Sequence, residues 1–171
     1  MNTMWGMVTE DNSFGTDEFL ELCKLIGCEP YIAGNVGSGT PQEMENWLEY
    51  LNFNGKSTLA DLRRTNGHDA PYNVSLWGVG NESWGCGGNM TPEFYANQYK
   101  RYAEFCKNYP GTSLKKVASG ANSDDYHWTD VCMKDIPLND MWGLSMHYYT
   151  VVNNWQHKGS ATSFDESEYF K

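Results

Sequence analysis

Residues 77–86, with the sequence Trp-Gly-Val-Gly-Asn-Glu-Ser-Trp-Gly-Cys, carry the groups of this chain that are best suited to chemistry. The apolar run at residues 74–79 predicts a buried strand, and an Asn-Glu pair follows it directly. Sites are built at the carboxyl ends of parallel strands, because the loops there vary while the strands hold them rigidly. The carboxyl group of Glu82, the amide of Asn81 and the indole of Trp84 are therefore predicted to meet at one strand end. The alternative is that Glu82 is a solvated carboxylate or the start of a helix.

Predicted helices and strands alternate along most of the chain around this segment. A helix is predicted over residues 16–26, because apolar side chains recur at helical spacing and Gly27 follows. Another is predicted to begin at Pro41, because Thr40 and Glu43 match a capping box. The other predicted strands are residues 31–36, 116–120 and 141–147, and the other predicted helices lie over residues 123–133 and begin at Thr91 and near Phe164.

Several aromatic and charged groups are expected to be structural. Tyr95, Tyr99 and Tyr102 recur at helical spacing, which favours packing in the core. Residues 52–72 are polar and predict a long surface connection with at most a short helix. The Arg63-Arg64 pair in this connection is expected to be solvated or paired with nearby acids.

The order of these elements predicts an α/β fold with a parallel sheet. Strands separated by helices form right-handed βαβ units, which pack their helices outside the sheet. Both an open doubly wound sheet and part of a closed (β/α)8 barrel fit this order. A whole barrel takes about 250 residues. A chain of 171 residues is therefore expected to form only part of one.

Composition and charge narrow the range of partners. The chain has 22 acidic and 12 basic residues, a formal charge of -10 and a pI near 4.7. This balance argues against nucleic acids and anionic membranes as partners, since both need a basic surface. No apolar run approaches the roughly 20 residues of a membrane span, and the first residues do not resemble a signal peptide. We expect a cytoplasmic location and a neutral or cationic small ligand.

The cysteines give little indication of a metal centre. Cys23 and Cys106 are expected to be small core residues on buried helix faces. Cys86 could bind zinc together with a histidine such as His147, but no close pair has the spacing of zinc ligands. We therefore expect neither a metal nor a cofactor.

Four patterns occur in order along the chain: Trp-Gly-x-Val-x-Glu-Asp-Asn-x-Phe-Gly-Thr-Asp-Glu-Phe at 5–19, Gly-Asn-Val-Gly-Ser-Gly-Thr at 34–40, Gly-Val-Gly-Asn-Glu-x-Trp-Gly-Cys-Gly-Gly at 78–88 and Leu-Ser-Met-His-Tyr-Tyr-Thr at 144–150. Together they resemble the catalytic barrel of glycoside hydrolase family 51 α-L-arabinofuranosidases over nearly the whole chain. The resemblance implies a partial (β/α)8 TIM barrel that is not closed. It makes the predicted strands about the third to the sixth of the barrel. Residues 1–171 are then a single segment of a catalytic domain, truncated at both ends.

The resemblance implies roles for three residues in particular. Glu82 matches the general acid/base, which protonates the departing glycosidic oxygen and then activates water. Asn81 matches an amide that binds the sugar hydroxyl next to the anomeric carbon. Tyr149 matches a tyrosine that steadies the nucleophilic carboxylate.

Other residues near the same rim are candidates for substrate binding. Trp84 could offer a flat face to a furanose ring or pack in the core, and His147 beside Tyr149 carries the same alternative. Asn35 ends the neighbouring strand and faces the same rim. An acid must stay protonated near neutral pH, so Glu82 needs partial burial or a second carboxylate nearby. Trp77 and Trp84 could supply that burial.

The nucleophile of the family is expected to be missing from this chain. Retaining glycosidases use two carboxylates about 5 to 5.5 Å apart, and family 51 places the nucleophile on the seventh barrel strand. Asp165, Glu166 and Glu168 fall in a predicted helix and do not replace it. The parent enzyme is expected to remove terminal α-L-arabinofuranosyl residues with retention of configuration, whereas this segment alone is expected to be inactive.

The expected partners are arabinofuranosyl-containing oligosaccharides or polysaccharides, and the family suggests a homo-oligomeric parent. Three other interpretations remain. Another barrel glycosidase of the same clan, of the xylanase or galactanase type, would share the Asn-Glu pair but not the other patterns. A non-catalytic carbohydrate-binding protein would fit the aromatic content, but such modules are mostly antiparallel sandwiches. An open nucleotide-binding sheet would need a phosphate-cradling glycine loop that the sequence lacks.

Overall fold

The computed structural model describes residues 2–4 and 6–149 of the chain, which form a parallel sheet with flanking helices. The helices are α1 (Thr16–Ile26), α2 (Pro41–Asn52), α3 (Thr58–Thr65), α4 (Pro92–Ala103) and α5 (Tyr126–Asp135). The strands are β1 (Tyr31–Gly34), β2 (Leu76–Val79), β3 (Lys115–Ala118) and β4 (Gly143–Leu144). The predicted helix near Phe164 lies outside the described residues.

The described strands lie side by side in the order β1-β2-β3-β4, and each neighbouring pair is parallel. Because the chain advances by one strand in the same direction each time, right-handed crossovers place the helices on one side of the sheet. A doubly wound sheet would instead reverse its strand order at a switch point. The sheet is thus an open arc of the kind that a (β/α)8 barrel contains, which confirms the predicted fold class and argues against an antiparallel sandwich.

Helix boundaries follow the signals in the sequence at most positions. The Thr40 hydroxyl accepts a hydrogen bond from the Glu43 amide at 3.2 Å, and the Glu43 carboxylate accepts one from the Thr40 amide at 2.7 Å. These two bonds complete the predicted capping box. α5 begins at Tyr126 rather than at residue 123, because Asp125 caps it by accepting from the amide of its third residue.

The described strands are shorter than predicted: β2 begins at Leu76 rather than at residue 74, and β3 ends at Ala118 rather than at residue 120. β1 stops at Gly34 instead of residue 36, since the Asn35 side chain accepts hydrogen bonds from two backbone amides of the following turn. β4 has only two residues. Beyond it, His147 forms a further isolated parallel bridge with Asn122.

The predicted packing tyrosines of α4 lie in the core. Tyr95, Tyr99 and Tyr102 are almost fully buried, and each hydroxyl donates a hydrogen bond to a backbone carbonyl. Cys23 and Cys106 are buried as predicted. The hydroxyl groups of these tyrosines therefore bind α4 to the end of β2 and to two loops beside the sheet.

The prediction that Arg63 is solvated or paired with an acid was wrong. Arg63 is fully buried, and its guanidinium donates to the backbone carbonyls of Tyr50, Phe53 and His68 at 2.7, 2.9 and 3.2 Å. Burial also lowers the pKa of this guanidinium. Backbone carbonyls are supplied by any residue type, so the sequence carries no signal for this arrangement. The neighbouring Arg64 does form an ion pair with an acid.

Within the described part of the chain, no helix has the length and apolar character needed to cross a membrane.

Candidate active site

Glu82 lies three residues beyond the end of β2, in a tight loop at the carboxyl end of the sheet. Its carbonyl accepts hydrogen bonds from the amides of Gly85 and Gly87 at 2.8 and 3.0 Å. A Cβ at Gly87 would overlap the carbonyl oxygen of Asn81, so only glycine fits there. Glu82 itself has a φ of 47°, a left-handed conformation that costs a non-glycine residue about 1–2 kcal/mol. The loop thus holds Glu82 in a backbone conformation that glutamate alone would avoid.

Three side chains contact the Glu82 carboxyl within the described residues. His147 Nδ1 lies 2.9 Å from Oε1, and the Tyr149 hydroxyl donates to the same oxygen at 3.4 Å. Cys86 Sγ donates to the other oxygen, Oε2, at 3.1 Å. The Glu82 side chain is 19% exposed. The carboxyl is therefore held from two sides while one part of it still reaches solvent.

His147 is the closest partner of Glu82 because the segment after β4 pairs with the segment after β3. The His147 amide donates to the Ala121 carbonyl at 3.1 Å, and its carbonyl accepts from the Ser123 amide at 2.7 Å. The Trp84 ring meets the imidazole edge-on, with ring centroids 6.2 Å apart. The backbone bonds and this ring contact fix the imidazole against Glu82 rather than in the core.

The indole of Trp84 is half-buried and forms part of the support below the site. Its N–H donates to the Gly120 carbonyl at 3.0 Å. The neighbouring Ser119 carbonyl accepts from the indole of Trp128 at 2.9 Å, and the Ser119 amide donates to the Tyr95 hydroxyl. Buried aromatic residues of α4 and α5 therefore position the end of β3, against which Trp84 rests.

The expectation that Trp77 helps to bury Glu82 was wrong. Trp77 is fully buried and packs edge-on against Trp47 of α2, with ring centroids 5.5 Å apart. Side chains alternate between the two faces of a strand, and Trp77 lies on the helix side. Of these two indoles, Trp84 is the one at the site, where it contacts the imidazole of His147.

A cleft of about 470 Å³ opens beside the Glu82 loop, and its lining includes Asn35, Asn81 and Cys86. The Asn35 side chain is engaged in its own turn, where its amide nitrogen donates to the Ser38 hydroxyl at 2.9 Å. Asn81 is exposed, and no side chain or backbone group among the described residues hydrogen-bonds to its amide. Of the two predicted amides, Asn81 is the one whose hydrogen-bonding groups are free for a ligand.

The surroundings of Glu82 lower the pKa of its carboxyl. The largest cause is the hydrogen bond from Cys86, followed by the one from His147, while burial acts in the opposite direction. Donated hydrogen bonds stabilise the ionised form. The described contacts include no second carboxylate, which would act against ionisation. This explains why the carboxyl does not have the raised pKa expected of an acid catalyst.

The contact of Cys86 with the Glu82 carboxyl is not predicted by the sequence patterns. The sequence offers Cys86 only as a possible zinc ligand, and the described residues contain no group of three or more His, Cys, Asp or Glu side chains able to hold a metal ion. The feature of the sequence that could have indicated this contact is the spacing of four residues between Glu82 and Cys86. Residues four apart meet in a helix-like turn, and the glycine-rich loop folds into such a turn.

A family model described as the alpha-L-arabinofuranosidase 1 domain matches residues 1–168. The chain is 54% identical to an intracellular exo-alpha-L-arabinofuranosidase of Bacteroides ovatus over 170 residues, which are 99% of this chain and 33% of that protein. It is 38% identical to a probable alpha-L-arabinofuranosidase C of Aspergillus terreus, over 91% of this chain and 32% of that protein.

Solved structures agree with these relatives. The GH51 arabinofuranosidase from Xanthomonas axonopodis pv. citri matches with a TM-score of 0.88 and 48% identity, over 98% of this chain and 34% of that one. The alpha-L-arabinofuranosidase from Thermotoga maritima, solved as an arabinose complex, matches with a TM-score of 0.75 and 40% identity, over 86% of this chain and 30% of that one. The chain thus spans about a third of the length of the proteins that it matches.

Proposed function

The chain belongs to the α-L-arabinofuranosidase family, and from this premise we propose that it is the part of a retaining arabinofuranosidase barrel that carries the general acid/base, Glu82. The carboxylate nucleophile then comes from a part of the barrel outside this chain. Residues 1–171 form a single segment of that catalytic domain.

The observation that carries the proposal is the environment of Glu82. The carboxyl lies at the carboxyl end of a parallel sheet, is only partly exposed and is held by His147 and Cys86. Asn81, with an unengaged amide, lines the adjoining cleft. A carboxyl group held in this way can transfer a proton to the glycosidic oxygen of a bound sugar, and the free amide of Asn81 can bind a hydroxyl of the same sugar.

The chemistry requires Glu82 to change its protonation state during turnover. In the first step the Glu82 proton moves to the glycosidic oxygen, the bond from that oxygen to the anomeric carbon breaks, and the nucleophile bonds to that carbon. In the second step the Glu82 carboxylate takes a proton from water, which displaces the nucleophile. The same carboxyl therefore serves as acid and then as base.

The lowered pKa of Glu82 in this segment is compatible with that cycle. An ionised nucleophile about 5 to 5.5 Å away would raise the pKa of Glu82, because two like charges resist ionisation together. Formation of the glycosyl-enzyme ester removes the charge of the nucleophile. The donors of His147 and Cys86 then favour the ionised form, which is the form needed to activate water.

The substrate class proposed is an oligosaccharide or polysaccharide with terminal α-L-arabinofuranosyl residues. Tyr149, Trp84, His147 and Asn35 are proposed to line the sugar site together with Asn81. A cytoplasmic location is proposed because the Bacteroides relative is described as intracellular. A homo-oligomeric parent remains a prediction.

The replacement Glu82→Gln in the full-length protein tests the proposal. It removes the transferable proton, so kcat/KM for substrates with poor leaving groups should fall by roughly 10²–10⁴-fold. Substrates with a dinitrophenyl leaving group, which needs no protonation, should keep most of their rate of glycosyl-enzyme formation. The matched control is Glu93→Gln, since Glu93 is an exposed carboxylate at the start of α4.

Equal losses of Glu82→Gln on both types of leaving group would contradict the role of Glu82. Hydrolysis of xylan or galactan in preference to arabinofuranosides would favour the other glycosidases of the clan. The isolated segment of residues 1–171 should release no arabinose from an aryl arabinofuranoside.

A further inference from the structure

The thiol of Cys86 contacts one particular oxygen of the Glu82 carboxyl. Its Sγ lies 3.1 Å from Glu82 Oε2. Oε1, by contrast, faces His147 and Tyr149. The two oxygens of one carboxyl therefore have different partners, and the weak donor is on Oε2.

The loop itself brings Cys86 to this oxygen. The amides of Gly85 and Gly87, on either side of Cys86, both donate to the Glu82 carbonyl. This backbone closure fixes the distance between the two side chains. A cysteine placed four residues after Glu82 thus reaches the carboxyl without any contribution from another element.

Cys86 also connects the Glu82 carboxyl to the cleft, because the residue that contacts Oε2 is itself one of the cleft's lining residues. It is exposed and lines the same cleft as Asn35 and Asn81. Oε2 is therefore the carboxyl oxygen whose partner lines the cleft, whereas Oε1 faces His147. The hydrogen bond to Glu82 raises the pKa of the Cys86 thiol, so the thiol keeps its hydrogen and acts as a donor.

We infer that Cys86 is a positioning residue for the reaction, which holds Oε2 of Glu82 toward the cleft as the oxygen that delivers the proton. This inference rests on the proposed role of Glu82. The weak S–H donor orients the oxygen and leaves it able to release and recover its hydrogen. His147 anchors the opposite oxygen and does not take part in the transfer.

The test compares Cys86→Ala and Cys86→Ser in the full-length protein through the pH dependence of kcat/KM. The alkaline limb of this profile reports loss of the acid form of the free enzyme. Alanine removes a hydrogen bond that favours the carboxylate, so the limb should move to higher pH. Serine restores a donor, so the limb should return to the wild-type position or lie below it. On a substrate with a poor leaving group, the alanine variant should lose about three- to tenfold in kcat/KM.

The matched control is Cys28→Ala, because Cys28 is an exposed thiol in the turn after α1. It should leave the profile unchanged. Thermal unfolding of each variant checks that the fold is intact. If Cys86→Ala does not fold, Cys86→Val, which also lacks a donor, takes its place and should shift the limb in the same direction.

The inference is wrong if the alkaline limb of the alanine variant stays in place, or if alanine and serine behave alike. Such a result would leave the role of Glu82 untouched, because the leaving-group dependence of Glu82→Gln is measured with Cys86 present. Retention of full activity by Glu82→Gln would instead overturn the proposed function.

Discussion

His147 Nδ1 lies 2.9 Å from Glu82 Oε1, and this contact joins the ends of two strands that are not neighbours in the sheet. A carboxylate only accepts hydrogen bonds, so Nδ1 must carry the hydrogen whenever Glu82 is ionised. The contact therefore fixes the tautomer of a neutral imidazole as well as the carboxyl orientation. It also lowers the pKa of Glu82, together with the larger effect of Cys86.

Replacement of His147 by Phe should shift the pH profile of the full-length protein. The phenyl ring keeps the edge contact with Trp84 but has no donor, so the pKa of Glu82 should rise. The acid form then persists to higher pH, and the alkaline limb of kcat/KM should move in that direction. His127→Phe, at an exposed histidine, is the control. A limb that moves to lower pH, or stays in place, would show that His147 does not stabilise the carboxylate.

Two glycines of the Glu82 loop should respond differently to the same replacement. Gly87→Ala places a Cβ onto the Asn81 carbonyl oxygen, whereas a Cβ at Gly85 would meet nothing closer than the Glu82 carbonyl oxygen at 3.8 Å. A displacement of about 1 Å in a catalytic group costs about 10²-fold in rate. We expect kcat/KM to fall by about that factor for Gly87→Ala and by less than about threefold for Gly85→Ala. Equal effects of the two replacements in a steady-state assay would argue against a rigid loop.

The left-handed backbone conformation of Glu82 should lower the free energy of unfolding, independently of its carboxyl group. Both Glu82→Gly and Glu82→Ala remove the side-chain contacts with His147 and Cys86. Only glycine relieves the φ of 47°, so the glycine variant should have the larger free energy of unfolding, by about 1 kcal/mol. Chemical denaturation of the two full-length variants measures the difference. A more stable alanine variant would mean that the loop relaxes out of the left-handed conformation.

Much of this site could be predicted from the sequence because its central signal is local. The apolar run before Asn81 and Glu82 predicts a strand, and the alternation of elements predicts that its end lies at the rim of a parallel sheet. The glycines that follow predict a tight loop. Each of these inferences needs only neighbouring residues and general stereochemistry.

The rest depends on contacts between distant parts of the chain. Glu82 and His147 are 65 residues apart, and their contact depends on how the segment after β4 pairs with the segment after β3. Arg63 looked like a surface residue because its acceptors are backbone carbonyls. Trp77 and Trp84 looked alike in sequence, and the pleat of β2 together with the loop decides that one faces the helices and the other faces the site.

The most direct test of proton transfer by the Glu82 carboxyl is rescue of a Glu82 variant by azide. In the full-length Glu82→Ala variant, an aryl arabinofuranoside with a good leaving group should still form the glycosyl-enzyme, which then lacks a base to activate water. Azide needs no base, so it should accelerate turnover and yield α-L-arabinofuranosyl azide with retained configuration. A variant that hydrolyses the substrate at the wild-type rate, or that gives no azide product while the glycosyl-enzyme accumulates, would contradict the account.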